Sequence, residues 1–592
     1  MDEKLQLVLL REIPEDAELR QRWNALVARV DRPQVFYTYE WSLAVQRAYH
    51  ASLRPLLFLA YDEQESLCGV AALVADPKGK EVSFLCANTG DYCDFLSLPE
   101  HKRGFVADVL AELRRQGMDD ITLTNLPADS NTLAAIRQAR RRGYRCFART
   151  AYECAQVSLE KIERLPGEKT LVVMRKKMLR RALQAMSREG PVRLDHARSW
   201  DAIEPILPAF MQAHVARFLM TGRISNLVRP ERHEFLVELA KLLSESGWMV
   251  LTRLAAGEKS FAWNYGFQFR DTWFWYQPTF DSDLEKYSPG FCLLTKIIEE
   301  AADNPTLKVV DLGLGAEEYK ERFVNQSRRT LCIALRASRA RYVREIVRYR
   351  TASLVKTQPR FEAVVRHVAS RIGRLKEQVG HEGFIATAAR LAKWSREFLW
   401  CEEEVFFFEW CGSERPDSGT TRLERLGPNQ MASAASQYCD DDQTLAYLLR
   451  AAARQRAGGA EGFVLIDEEG RFVHFAWARA FDGFFLSELN AKVEAPSPDS
   501  VMLFDCWTPS AVRGHGYYAV TVALLARRLQ KDGNRPWIFS AAGNVASLRG
   551  LERSGFQRRY SLVRQRALAW QRIRGETPKS VEAPITQASA RV

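Results

Sequence analysis

No apolar run in these 592 residues approaches the roughly 20 needed to span a bilayer, so a membrane-crossing helix is not expected. The opening residues, Met1-Asp2-Glu3-Lys4-Leu5, alternate charge with apolar side chains and lack a signal-peptide core. The eleven cysteines are scattered singly, with no Cys-x-x-Cys pair and no Cys/His cluster at zinc spacing. That pattern predicts reduced thiols, a cytoplasmic chain and no metal, with a peripheral position at the inner face of a membrane as the further expectation. Acidic residues are in deficit, 73 against 85 Lys and Arg, and the net charge of +12 favours anionic partners. No low-complexity repeat interrupts the domains, and 46% hydrophobic with 27% charged residues describes an ordinary globular chain. At this length one core does not suffice, and roughly three or four domains are expected.

What is present centres on Ser500–Phe556. An apolar run, Val501-Met502-Leu503-Phe504-Asp505-Cys506-Trp507, predicts a strand. The turn Arg513-Gly514-His515-Gly516-Tyr517-Tyr518 follows, and Val522, Leu525, Ala526 and Leu529 are spaced as one face of a helix. Strand, glycine-bearing turn and helix start make an anion site. Glycines admit close backbone N–H groups, and the helix N-terminus adds unpaired donors and its dipole. Arg513 adds a guanidinium able to grip phosphate in two places. A second strand, Pro536–Ser540, leads into Asn544-Val545-Ala546-Ser547 and the ending Gly555-Phe556.

This pattern resembles the GNAT family of acyl-CoA-dependent N-acyltransferases. The family's phosphate loop, Arg/Gln-x-x-Gly-x-Gly/Ala, is matched by Arg513–Tyr518, with Tyr518 in the last small position. Asn544, Ser547 and Gly555-Phe556 match its later helix. The resemblance implies acetyl-CoA or another acyl-CoA as co-substrate, contacted by Trp507, Arg513, Gly514, His515, Gly516, Tyr517, Asn544 and Ser547.

A second resemblance covers roughly residues 1–335. Ser288-Pro289-Gly290, a helix carrying Leu293, Leu294, Ile297, Ile298 and Ala301, Asp311-Leu312-Gly313-Leu314-Gly315 and Tyr319-Lys320 are similar to the CelD-like acetyltransferases. Trp41 and Asp91–Leu96 fit that family's first half. The family belongs with the FemAB-type proteins, which pair two GNAT-like halves. The implied fold is α/β (α+β): three GNAT-like modules, each a mixed, mostly antiparallel sheet flanked by helices. The expected division is 1–165 and 166–335 for the two halves, 336–400 for a basic helical connector, 401–571 for a C-terminal GNAT domain and 572–592 for a disordered tail. Ser288 is expected to cap its helix by its hydroxyl, with Pro289 at the first turn. Ser288, Gly290, Lys320 and Arg322 are the expected ligand contacts of the second half.

The chemistry implied is direct attack of an amine on a thioester in a ternary complex, the amine belonging to a sugar, polysaccharide or cell-envelope precursor. Asp505 is the candidate base. By alternation it shares a face with Leu503 and Trp507, and an apolar setting there would suit it to accept a proton. His474 and Glu488 are weaker candidates, and Cys506 has no evident histidine partner. Two alternatives stand beside this one: FemAB-like aminoacyl transfer from tRNA, and a non-catalytic scaffold for envelope-polymer synthesis. Expected partners are an anionic small molecule or glycan precursor, and a membrane surface or envelope-synthesis protein through 336–400. No specific nucleic acid is expected, tRNA belonging to the first alternative alone.

Overall fold

In the computed structural model the described residues are 5–76, 79–138, 143–162, 177–315, 317, 319–356, 400–412, 421–567 and 570–575. They fall into two compact units, Met1–Arg217 with Asn226–Gln358, and Phe218–Ser225 with Pro359–Val592.

The first unit contains β1 (Gln6–Leu10), β2 (Arg54–Tyr61), β3 (Leu67–Ala75), β4 (Glu81–Phe84), β5 (Leu96–Ser97), β6 (Asp120–Pro127), β7 (Arg145–Ser158), β8 (Val192–Ala197), β9 (Met249–Ala256), β10 (Lys259–Phe269), β11 (Thr272–Phe280), β12 (Val309–Leu314) and β13 (Gln326–Arg336). Among the described residues these join one continuous 13-stranded sheet, in the order β1-β2-β3-β4-β6-β13-β7-β12-β11-β10-β9-β8, with β5 on β3. The two expected halves are therefore one sheet. The last strand, β13, sits between β6 and β7, antiparallel to both. Each half carries one parallel strand pair, β4 with β6 and β11 with β12, and each pair is bridged by a helix, Pro99–Arg115 in one and Pro289–Asp303 in the other. Leu293, Leu294, Ile297, Ile298 and Ala301 form the buried stripe of the second helix, as their spacing predicts.

The second unit contains β14 (Trp400–Trp410), β15 (Arg422–Arg425), β16 (Glu461–Ile466), β17 (Phe472–Ala480), β18 (Phe484–Leu486), β19 (Ala491–Val493), β20 (Ser500–Trp507), β21 (Arg535–Ala541), β22 (Phe556–Ala567) and β23 (Trp570–Arg574). Its eight-stranded sheet runs β15-β16-β17-β20-β21-β14-β22-β23 among the described residues, and β20 with β21 is its parallel pair. Alternation along β20 sends Leu503 to a core beneath the helices Tyr517–Lys531 and Val545–Arg553, and Met502 to a second core on the opposite face.

Two boundaries and one capping expectation need correction. Residues 572–574, assigned to the tail, complete β23, because Arg572, Ile573 and Arg574 pair with Gln565, Arg564 and Val563. The connector opens as a helix of the first unit, Arg339–Lys356, whose Tyr349 ring packs 5.5 Å from Phe147 of β7. The remaining connector, 357–399, lies outside the described residues, as do 576–592. Ser288 also departs from expectation: it adopts φ +49 and makes no side-chain capping bond, so Pro289 alone carries the helix-start signal.

Candidate active site

The second unit opens where its parallel pair fails. Ser500–Leu503 pairs with Arg535–Ile538, and beyond that register the two strands part. The cause is one extra residue in β20: Phe475 and Trp477 of β17 face Trp507 and Phe504, so three steps on β20 oppose two on β17. Asp505 takes the strain, at φ +47. Flanking strands hold the wedge open, β17 along one side and β14, through Val405–Phe407, along the other.

The resulting cleft has a volume of about 990 Å³. Its floor is strand backbone, and one wall is the loop ending at the helix Tyr517–Lys531. Gly514 and Gly516 have φ of +87 and +80, and no atom lies within 4 Å of where a Cβ would stand on either. The left-handed φ favours glycine at both positions, and the open space leaves their backbone accessible to a ligand. Arg513 is exposed, anchored by its Nε donating to the Thr508 carbonyl at 3.0 Å, with its guanidinium 5.4 Å from the Trp507 ring.

Most of the residues expected at the cofactor do line this cleft: Trp507, Arg513, Gly514, Gly516, Tyr517, Asn544 and Ser547. Trp507 is fixed there by stacking on Tyr447 at 5.5 Å and by donating to Thr444 Oγ1 at 3.1 Å. Asn544 caps the helix Val545–Arg553, its Oδ1 accepting from Ser547 N at 3.2 Å. His515 is the exception. It is not among the lining residues; its Nδ1 lies 3.1 Å from the Arg513 carbonyl and its ring stacks on Tyr517. Tyr518, the departure from the small-residue pattern, does not fill the loop. Its ring lies against the next helix, where a Cβ on Gly550 would come within 2.5 Å, and its hydroxyl meets Ser547 Oγ at 2.9 Å.

Asp505 corrects the sequence reading. The bulge breaks the alternation, and the carboxylate meets Arg454 at 2.6 Å in place of an apolar setting. The contact is an ion pair without hydrogen-bond alignment. Arg454 is itself held over the rings of Trp477 and Phe504, at 4.8 and 5.1 Å. Nothing in the sequence pairs positions 454 and 505, so this contact was out of reach. Cys506 is pushed up to about 12, by burial first and the Asp505 charge second, and stays a thiol. His474, 1% exposed, bonds Thr508 Oγ1 through Nδ1 at 2.7 Å, while its Nε2 has no partner. Burial drives it down to about 3, so it is a neutral ring at the cleft wall.

A tighter wedge opens in the first unit. Thr272–Phe274 pairs with Val309–Asp311, then β11 and β12 diverge. Asp91 enters the gap: a Cβ on Gly313, at φ +72, would stand 2.6 Å from its Oδ2. Burial, then the charge of Asp311, raises Asp91 to about 7 against the pull of Lys320 and Arg232. Asp311 is fully engaged, accepting from Tyr92 and Gln156 at 2.8 Å each and from Gly313 N at 2.8 Å. Of the expected contacts in this half, Lys320 is buried and turned inward, donating to the Leu314 carbonyl at 3.1 Å and pairing with Glu317 at 3.2 Å. Arg322 is exposed, with its guanidinium 5.9 Å from the Phe291 ring. Gly290 packs against Phe280.

The parting pair of the first unit, β11 with β12, lies in a segment that a family comparison identifies. Residues 174–321 match the acetyltransferase (GNAT) domain family. The matched GNAT segment contains β8 to β12, about a quarter of the chain, and lies apart from the glycine loop of the second unit. No curated protein matches the chain. Similar solved structures include the L-PGS of Bacillus licheniformis, with 12% identity, 57% of this chain and 96% of that one covered, and a TM-score of 0.36. FemX gives 9% identity, 53% and 95% coverage, and a TM-score of 0.37. A tandem GNAT protein from the clavulanic acid biosynthesis pathway gives 12%, 57% and 99%, and 0.33. The chain is an α/β protein of mixed sheets flanked by helices, and its residues 174–321 match the GNAT domain family.

Proposed function

We propose that this chain is an acyl-CoA-dependent N-acyltransferase whose donor occupies the cleft of the second unit. The observation that carries the reading is the conjunction of parted parallel strands with two left-handed glycines at a helix start. The glycine N–H groups and the helix N-terminus suit a pyrophosphate, with Arg513 beside them. Strand backbone freed by the parting of β20 and β21 suits the amides of a pantetheine arm. The cleft also presents Arg549 and Arg553, and among the described residues neither they nor Arg513 is in an ion pair. That charge favours acetyl-CoA or a related thioester as donor, and an anionic acceptor: an amine on a sugar or envelope-polymer precursor.

In this reading the neutral amine attacks the thioester carbonyl, the C–S bond breaks, and the amine proton passes through water to the departing thiolate. Asp505 has its carboxylate engaged by Arg454 and serves the bulge. His474, neutral and unpartnered at Nε2, offers the wall a hydrogen-bonding group. Isothermal titration of the full chain with acetyl-CoA tests the proposal. Binding is expected for the native sequence and its loss for Gly516→Trp, whose side chain would stand in the phosphate position. Absence of binding from the folded native chain at millimolar acetyl-CoA overturns it.

A further inference from the structure

The first half of the first unit holds a smaller pocket, about 50 Å³, beside the helix Pro99–Arg115 that bridges β4 and β6. This helix has no glycine loop before it, and its cap, Leu98, contributes no side-chain acceptor. The polar groups around the pocket divide sharply. Its carboxylates are taken: Asp94 accepts from Ser130 at 2.7 Å and Thr132 at 2.6 Å, Asp129 meets Arg32 at 2.5 Å and Arg328 at 3.1 Å, and Asp31 accepts from Asn131 at 3.2 Å.

The donors are only partly engaged, and Ser97, 2% exposed and lining the pocket, has no partner at all for its Oγ. The Tyr37 hydroxyl makes no hydrogen bond among the described residues, and burial keeps the phenol protonated. Lys102, 8% exposed, spends one N–H on the Phe95 carbonyl and stands 3.8 Å from Asp94. Arg328 bonds Asp129 through Nε and Nη2, which leaves Nη1. A buried donor without an acceptor is costly in a finished core, and a ligand that accepts from Ser97 removes that cost while using the spare donors of its neighbours.

We propose that this pocket binds a small oxyanion of the phosphate type, held by Tyr37, Ser97, Lys102 and Arg328. Tyr37, Ser97, Lys102 and Arg328 all line one space, whose size suits a phosphoryl group and not a whole nucleotide. The ammonium and guanidinium supply charge-assisted bonds, the stronger kind. The site does not depend on the donor cleft of the second unit; it would anchor either free phosphate or the phosphoryl group of a phosphorylated substrate.

The test is isothermal titration of the full chain, carrying Gly516→Trp to silence the glycine loop, with inorganic phosphate, glucosamine 6-phosphate and glucosamine. Phosphate should bind, Ser97→Ala should weaken it by about fivefold, and Lys102→Met by about tenfold or more. Tighter binding of glucosamine 6-phosphate than of phosphate assigns the anion to a substrate; equal affinity assigns a free-anion site. Absence of phosphate binding at millimolar concentration, or equal affinity in native and Ser97→Ala chains, overturns the proposal. If Lys102→Met fails to fold, Ser97→Ala and Tyr37→Phe still decide, because neither hydroxyl is bonded within the fold.

Discussion

Asp505 carries a left-handed backbone and an ion pair at once, and substitution can separate the two. Its φ is +47, and Arg454 stands 2.6 Å from its carboxylate, with the two side chains 25% and 30% exposed. Fully exposed pairs contribute about 0.2–1 kcal/mol, and removing one partner of a buried pair costs about 3–5 kcal/mol. A pair of this intermediate exposure should be worth about 1–2 kcal/mol. Asp505→Gly loses the pair but relieves a left-handed conformation that costs a side chain about 1–2 kcal/mol, so its net effect should be small. Asp505→Ala loses the pair and keeps the strain, and should be less stable than Asp505→Gly by about 1 kcal/mol or more. Arg454→Met should cost more than the pair alone, since the guanidinium also sits over Trp477 and Phe504. Urea unfolding of the full chain, followed by tryptophan fluorescence, reads these differences. A double-mutant cycle of Asp505→Asn with Arg454→Met should show coupling of about 1–2 kcal/mol. Additive effects, or equal stability of the Ala and Gly variants, would refute the reasoning. Turnover decides the chemical role separately. A general base predicts a loss of about 10²-fold or more in Asp505→Asn, whereas a bulge-holding ion pair predicts that most activity survives.

His474, held at about 3 by burial against 6.5 when free, stays neutral where the unfolded chain takes up a proton. Its contribution is complete above pH 6.5 and is lost as pH falls toward 3, at up to about 1.4 kcal/mol per unit, so His474→Leu should flatten that limb of a pH–stability curve. Asp91 has the opposite sign: raised from 3.8 to about 7, it keeps its proton in the fold across that window, so stability falls as pH rises through it. Asp91→Asn should remove the slope, and a persistent slope would assign it to another group. Gly313→Ala places a Cβ 2.6 Å from Asp91 Oδ2 at φ +72, and should cost about 2 kcal/mol or more in thermal unfolding. Pairing it with Asp91→Ala should relieve the clash and leave the backbone strain.

Much of this fold is legible in sequence because its strands are short apolar runs bounded by turns. Leu56–Tyr61, Phe261–Phe269 and Gly462–Ile466 lie within or at the bounds of β2, β10 and β16. The glycine loop was legible for a related reason: left-handed turns before a helix are written in glycine. Strands β7 and β13 were not. Their polar stretches, such as Arg145–Glu153 and Gln326–Thr330, lack the alternation of a half-buried strand, and their partners are remote in sequence. The surroundings of Asp505 failed for the same cause. Alternation assumes an unbroken ladder, and the bulge that parts β20 from β21 leaves no mark in the residue pattern. Asp91 could be noticed as part of a motif, but its place beside Gly313 belongs to a fused sheet that neither half specifies alone.

The position of β13 also sets a timetable for synthesis. As the chain emerges from the ribosome, β6 and β7 have no neighbour between them until Gln326–Arg336 has been made. About 200 residues separate the end of β6 from the start of β13, which at cellular elongation rates is a wait of roughly 10–40 s. For that interval the nascent chain presents two bare strand edges facing one gap, a template for pairing with any other extended chain. The amino-terminal half therefore cannot complete its native sheet before residue 336 has been made, and until then its open edges are the part of the chain most exposed to wrong pairing.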